Sequence, residues 1–225
     1  MVTSVDLRRS PAASNRPLQW AGYLLGFALG GFFDGILLHQ VLQWHHLLSA
    51  VEGAPFRDLR VQVLADGLFH VAMYIIAAVG LWLLWRARHE FAAANADRMV
   101  VAGILVGFGV WHVANGLIFH WTLGIHRIRM AAENVLLWDL IWFFAFGVLF
   151  IAAGWALRRA ARTGDTPGRA PPAVVPVFLA TVVSGAGSIA ALPPPNLSSA
   201  LVLFRPGTAP EAVLAAVSAV DGRIV

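Results

Sequence analysis

Apolar residues run along this chain in long unbroken blocks rather than in amphipathic stripes. Five blocks stand out, at about 18–48, 61–85, 99–123, 135–157 and 174–192. A helix needs about 20 apolar residues to cross some 30 Å of hydrocarbon, and each block is read as one span. The fifth is the shortest and is rich in Ala, Gly and Ser. The pattern predicts an all-α membrane protein: a compact bundle of four core transmembrane helices plus a fifth, followed by a small α/β tail.

The polar stretches set the domain organisation. Residues 1–17 are polar, carry two prolines and are expected to be disordered in the cytoplasm. Residues 18–158 form the four-helix membrane domain, 159–173 a cytoplasmic linker containing TGDTPGRAPP, and 174–192 the fifth helix. In that helix Ala180, Ser184 and Ser188 recur every four residues, a spacing that lets another membrane helix approach closely or that simply marks a weakly apolar segment. Residues 193–225 read as an extracytoplasmic partial βαβ unit: a strand over 200–204, a helix over 210–220 and a strand opening at Arg223. So little structure cannot fold alone, and the tail is expected to be loosely ordered outside the membrane or completed by another chain, and to take no part in the metal site. No internal repeat is read.

Composition supports the membrane assignment and corrects a misleading pI. The chain is 59% hydrophobic and 12% charged, too apolar for a soluble domain. The pI near 10.9 invites a nucleic-acid partner, but all sixteen basic residues are arginine and their placement argues against one. Ten lie in three segments: Arg8, Arg9, Arg16; Arg86, Arg88, Arg98; Arg158, Arg159, Arg162, Arg169. Cytoplasmic loops are arginine-rich, so the N-terminus and these segments are placed in the cytoplasm of a bacterial inner membrane and the C-terminus outside. The expected partner is the lipid bilayer. The N-terminal arginines followed by an apolar run resemble a signal peptide, but the run continues into Asp34 and His39 and reads as an uncleaved first helix. The absence of cysteine removes disulfides, thiolate metal sites and CxxC redox chemistry.

The candidate chemistry is histidine and aspartate inside the spans. Seven of eight histidines fall near one end of the first three blocks: His39, His45, His46, His70, His112, His120 and His126. Ionisable groups in a bilayer mark a functional site by default, and imidazole with carboxylate (Asp34, Asp66, Asp139) suits first-row transition metals. At about 1.5 Å rise per residue, His39, His70 and His112 lie some 13–17 Å below the outer boundary on three helices. They form the expected deep layer of a metal site. His46, His120, His126, Asp66 and Asp139 form a shallower layer, with Asp34 deep on the first span. Asp66 and His70 share a helix face, and on a straight helix so do His39, Gln43 and His46. His45, beside Trp44, reads as an interfacial residue rather than a ligand. Each of these groups has a blander reading as polar glue between helices, worth about 0.6 kcal/mol on average, and Asp139 could complement a helix dipole. Coincidence of depth across three helices favours the metal. Without sulfur ligands the choice lies among copper (favoured), zinc and iron, with haem held by two axial histidines as the alternative cofactor.

The segments GFFDGILLHQVLQWHH (31–46), LADGLFHV (64–71) and HWTLGIHRIR (120–129) resemble one uncharacterised family of bacterial integral-membrane proteins known as a domain of unknown function. The resemblance covers about residues 18–158. It implies a compact helical membrane domain and no particular activity; members lie beside genes for cytochrome c oxidase assembly factors, which would suit a copper or respiratory role. Its His/Asp pattern falls here on Asp34, His39, His45, His46, Asp66, His70, His120 and His126. This chain departs from the pattern in the third span, at His112, Asn115, Trp121 and Arg127. Three functional classes stay open: copper handling or respiratory oxidase biogenesis, a membrane metalloenzyme activating oxygen or water, and a non-catalytic scaffold. No nucleophile triad, P-loop or dinucleotide fingerprint is present.

Overall fold

A computed structural model describes residues 16–163 and 207–219. Four long apolar helices make up the first of these segments: α1 (Arg16–Val41), α2 (Leu59–Arg86), α3 (Ala96–Thr122) and α4 (Val135–Thr163). All four are long and apolar enough to cross a membrane, and no strand occurs among the described residues. The four expected core spans are therefore present, with ends shifted by a few residues. Arg16 and Pro17, expected in the disordered N-terminus, open α1, and α4 runs through to Thr163 into the expected linker. The fifth span and the strand over 200–204 lie outside the described residues. In the tail, α5 (Pro210–Ser218) forms where a helix was expected, with proline in its first turn. The chain divides into two units, 1–191 and 192–225, and the four-helix bundle belongs to the first.

Helices α1 and α3 are the inner pair, about half buried along their apolar windows, whereas α2 and α4 are mostly exposed. The exposed side chains of α2 and α4 are large and apolar, among them Leu64, Leu68, Ile75, Leu137, Phe144 and Leu149. That is the surface a lipid-facing helix presents. The inner pair can approach closely because glycines line the crossing. A Cβ on Gly22 would lie 2.7 Å from the Val100 carbonyl, one on Gly26 would strike the backbone of Ile104, and one on Gly107 the carbonyl of Tyr23.

The bundle contains an internal repeat that the sequence reading did not find. Residues 22–47 align without gaps on 103–128, so that Gly22 falls on Gly103, Gly26 on Gly107, Gly35 on Gly116, His39 on His120 and His45 on His126. The backbone repeats too. Both inner helices widen into π-helical turns at matching positions, Gly35–Val41 and Gly116–Thr122. Both then turn through a left-handed residue, Gln43 (φ 50°) and Gly124 (φ 63°). Two differences hid the repeat. Apolar residues facing lipid exchange freely, leaving only eight identities in the 26 aligned positions. The loop after α1 is also longer than the loop after α3, which breaks any constant period along the chain.

Candidate metal centre

The widened turns determine where the histidines point. A straight α-helix through residue 48 would set His39 and His46 on one face and turn His45 away. Instead α1 loosens after Asp34 and stops at Val41, so the angles of a 3.6-residue period no longer apply. His45 swings inward and is 3% exposed. The post-helical loops of the two repeats then clasp each other. Ala50 N–H donates to the Ile125 carbonyl at 2.8 Å, His45 Nδ1–H to the Ile128 carbonyl at 2.9 Å and His126 Nδ1–H to the Leu47 carbonyl at 3.0 Å. Position 47 is the mate of 128 and 45 the mate of 126, so the last two bonds are one contact repeated about a pseudo-twofold axis.

That axis passes through paired mates. The rings of His45 and His126 stack at 4.6 Å with an 8° interplanar angle, and Asn115 Nδ2 donates to Asp34 Oδ2 at 2.8 Å. His39 and His120 flank the stack, at ring distances of 4.6 Å from His45 and 4.8 Å from His126. Within this cluster Asp34, His39 and His45 each offer a ligand atom within 4.8 Å of one another and all three are buried, a group that could hold a metal ion.

Hydrogen bonds select the ligating tautomer. A carbonyl oxygen can only accept, so His45 and His126 must carry their proton on Nδ1 and leave a lone pair on Nε2. His39 Nδ1 donates to Asp66 Oδ1 at 2.9 Å, an oxygen that also accepts the Leu47 amide at 2.8 Å. His120 Nδ1 lies 3.2 Å from Asp139 Oδ1, which accepts the amide of Ile128, the mate of Leu47, at 3.0 Å. Metal-binding histidines commonly show this arrangement of one nitrogen anchored and the other free. All four Nε2 atoms, and Asp34 Oδ1, are buried without a hydrogen-bond partner. Each such group costs about 1–3 kcal/mol if left unsatisfied. Burial also pushes the two loop imidazoles down, His45 well below its ordinary range and His126 to about 3, with the neighbouring histidines adding to the effect. Both are therefore neutral near pH 7, as ligation requires.

The expected layer of His39, His70 and His112 does not converge, for reasons visible at each residue. Trp142 Nε1 can only donate, and it donates to His112 Nδ1 at 3.1 Å. His112 therefore carries its proton on Nε2 and has no lone pair to offer there. It is enclosed by Phe33, Phe108, Trp142 and Phe146. His70 stacks on Phe32 at the seam of α1 and α2, its Nε2 against Gly35. In the other repeat Phe143 occupies the same seat against Gly116, so the position accepts an apolar ring. Asp66 and Asp139 are also not placed as ligands. Asp66 Oδ2 accepts from His46 Nδ1 at 2.6 Å, and Asp139 Oδ2 from Arg127 at 2.9 Å, so both carboxylates hold other residues in position. His46 is half-buried and serves Asp66. The residue undervalued from sequence is His45. Its signal was the six-residue spacing His39–His45, repeated at His120–His126.

The matches to known proteins agree with this architecture. A family model described as "Predicted membrane protein (DUF2243)" matches residues 21–161, and the chain belongs to that family. No curated protein and no solved structure matches the chain.

Proposed function

We propose that the four-helix domain holds a transition-metal ion on its pseudo-twofold axis, ligated by Nε2 of His39, His45, His120 and His126 with Asp34 beneath. The observation that carries this reading is the set of four buried, unpartnered Nε2 atoms, three of them on rings whose Nδ1 is hydrogen-bonded and the fourth on His120, whose Nδ1 lies 3.2 Å from Asp139. Neutral imidazoles with one carboxylate suit copper first, with zinc and iron as competitors, by the affinity order for nitrogen ligands. Rings in contact at 4.6–4.8 Å leave no slot for a porphyrin between them, which favours an ion over haem. Asp34, His39 and His45 bring ligand atoms within 4.8 Å of one another and all the donors are buried; such closed sites serve holding or transfer more often than catalysis. The reading is thus metal handling, in copper supply or respiratory oxidase biogenesis.

A second reading rests on the tightest part of the cluster. Asp34, His39 and His45 supply two imidazoles and one carboxylate, the ligand set of oxygen-activating non-haem iron. Elemental analysis and paramagnetic resonance of the purified, detergent-solubilised protein separate the two. Cu(II) split by several nitrogens is the expected result, with no Soret band in the optical spectrum. Ferrous iron with one carboxylate ligand would favour the enzyme, and a metal-free protein after growth in copper, zinc and iron would sink both.

The site end of the bundle is assigned to the extracytoplasmic side, because Arg86, Arg88, Arg98, Arg158, Arg159 and Arg162 cluster at the other end. With no native cysteine, Ser49→Cys should react with an impermeant thiol reagent in intact cells and a cysteine at residue 92 should not.

A further inference from the structure

The metal-binding reading leaves open how an ion reaches side chains that are all buried, and the two repeats differ at the point that matters. The mate of His46 is Arg127. Both are anchored to the carboxylate that positions a central histidine: His46 through Nδ1 to Asp66, Arg127 through Nη1 to Asp139. On the second side the guanidinium closes the site with a fixed positive charge and no lone pair. On the first side the anchored imidazole leaves its Nε2 free. His46 lines a cleft of about 470 Å³ together with Glu52, Arg57 and Gln62. Gln62 braces the wall of this cleft by donating to the carbonyls of Leu48 and Phe56.

We propose that this cleft is a transient metal-binding subsite through which the ion is loaded, with His46 Nε2 and the Glu52 carboxylate as capture ligands. The inference rests on the central site binding a metal. A hydrated divalent ion would exchange water for one imidazole and one carboxylate, and then pass along the short path from His46 past Asp66 to His39. Arg57 lines the same cleft and offsets the long-range field of Glu52, so capture depends on direct ligation rather than net charge. The second repeat has no comparable path, because Arg127 would repel a cation where His46 would bind one.

The test is the rate of loading measured separately from the end point. Metal-free, detergent-solubilised full-length protein is mixed with Cu²⁺ alone, uptake is followed by tryptophan quenching, and bound copper is counted at equilibrium. Glu52→Gln should slow loading about tenfold or more, while the end point stays at the wild-type value. Loading at the wild-type rate with a full end point overturns the route and leaves the central site standing. Loss of bound copper at equilibrium in Glu52→Gln overturns a transient role for that carboxylate. A wild-type protein that takes up no copper overturns the central site and the route together.

Discussion

Beside the first repeat a carboxylate on α2 stands between two imidazoles; beside the second a carboxylate on α4 stands between an imidazole and a guanidinium. Asp66 serves His39 and His46, Asp139 serves His120 and Arg127, and behind each the same backbone amide, Leu47 or Ile128, completes the shell. Deeper in the bundle Asp34 faces Asn115, and His70 is matched by Phe143. What the repeats share is a pair of buried imidazoles on each side, each with an unpartnered Nε2. What they do not share is charge and openness: the first half carries the free carboxyl oxygen, the free imidazole edge and the cleft.

The comparison breaks most sharply at the axis. Because His45 and His126 stack as mates, replacing either by Ala should cost the same, and more than the 10–100-fold typical of residues that only orient a ligand. Metal content after dialysis against a weak chelator measures it. Retention in one variant and loss in the other would mean that the halves hold separate ions.

Acid should dismantle both halves together. His45 and His126 are held neutral in the fold, so the unfolded chain binds more protons than the folded one below the ordinary histidine pKa near 6.5. Metal-free stability is therefore full above about pH 6.5 and falls as the pH drops toward 3, by up to about 2.7 kcal/mol per unit for two protons. Thermal unfolding in detergent across that range tests the sign; a protein more stable at pH 5 than at pH 7.5 would contradict it.

The glycine crossing carries the symmetry, so Gly26→Leu and Gly107→Leu should each destabilise by about 3 kcal/mol or more, since the obstruction is backbone. Gly67, which has open space around its Cβ position, provides the control. Gly67→Ala should be neutral or slightly stabilising in the same melting assay.

How much of this was legible in the sequence depends on whether an element obeys a simple period. The four spans follow from block length because lipid imposes it, and their helical state leaves no alternative. The ligand set did not follow, because depth and facing were extrapolated along ideal helices. Widened turns at Gly35–Val41 and Gly116–Thr122 invalidate that arithmetic just where the histidines sit. His39, His120, His126 and Asp34, all named from the sequence, do lie together in the buried cluster. His112 was misjudged because its tautomer depends on Trp142, thirty residues away, which no spacing reveals.

A smaller effect distinguishes the two orienting carboxylates. Asp66→Asn should lower metal affinity by about 10–100-fold with the fold intact, since the partly exposed His46 side chain can hydrogen-bond water instead. Asp139→Asn should show the same loss and in addition a lower melting temperature, because it strands the Arg127 charge, whose side chain is one-third exposed. Equal melting temperatures would show that Arg127 finds solvent unaided.

The smallest effect is expected where the repeats already display the substitution. His70 and Phe143 fill equivalent seats against Gly35 and Gly116, and His70 Nε2 has no partner among the described residues. His70→Phe should therefore leave metal content unchanged and shift stability by less than about 1.5 kcal/mol, as volume-conserving swaps do. The added contact with Phe32 and the removal of an unsatisfied nitrogen both favour the variant. Loss of the ion in His70→Phe, with the fold retained, would restore His70 to the ligand set. The first half would then coordinate metal with an imidazole that the second half lacks.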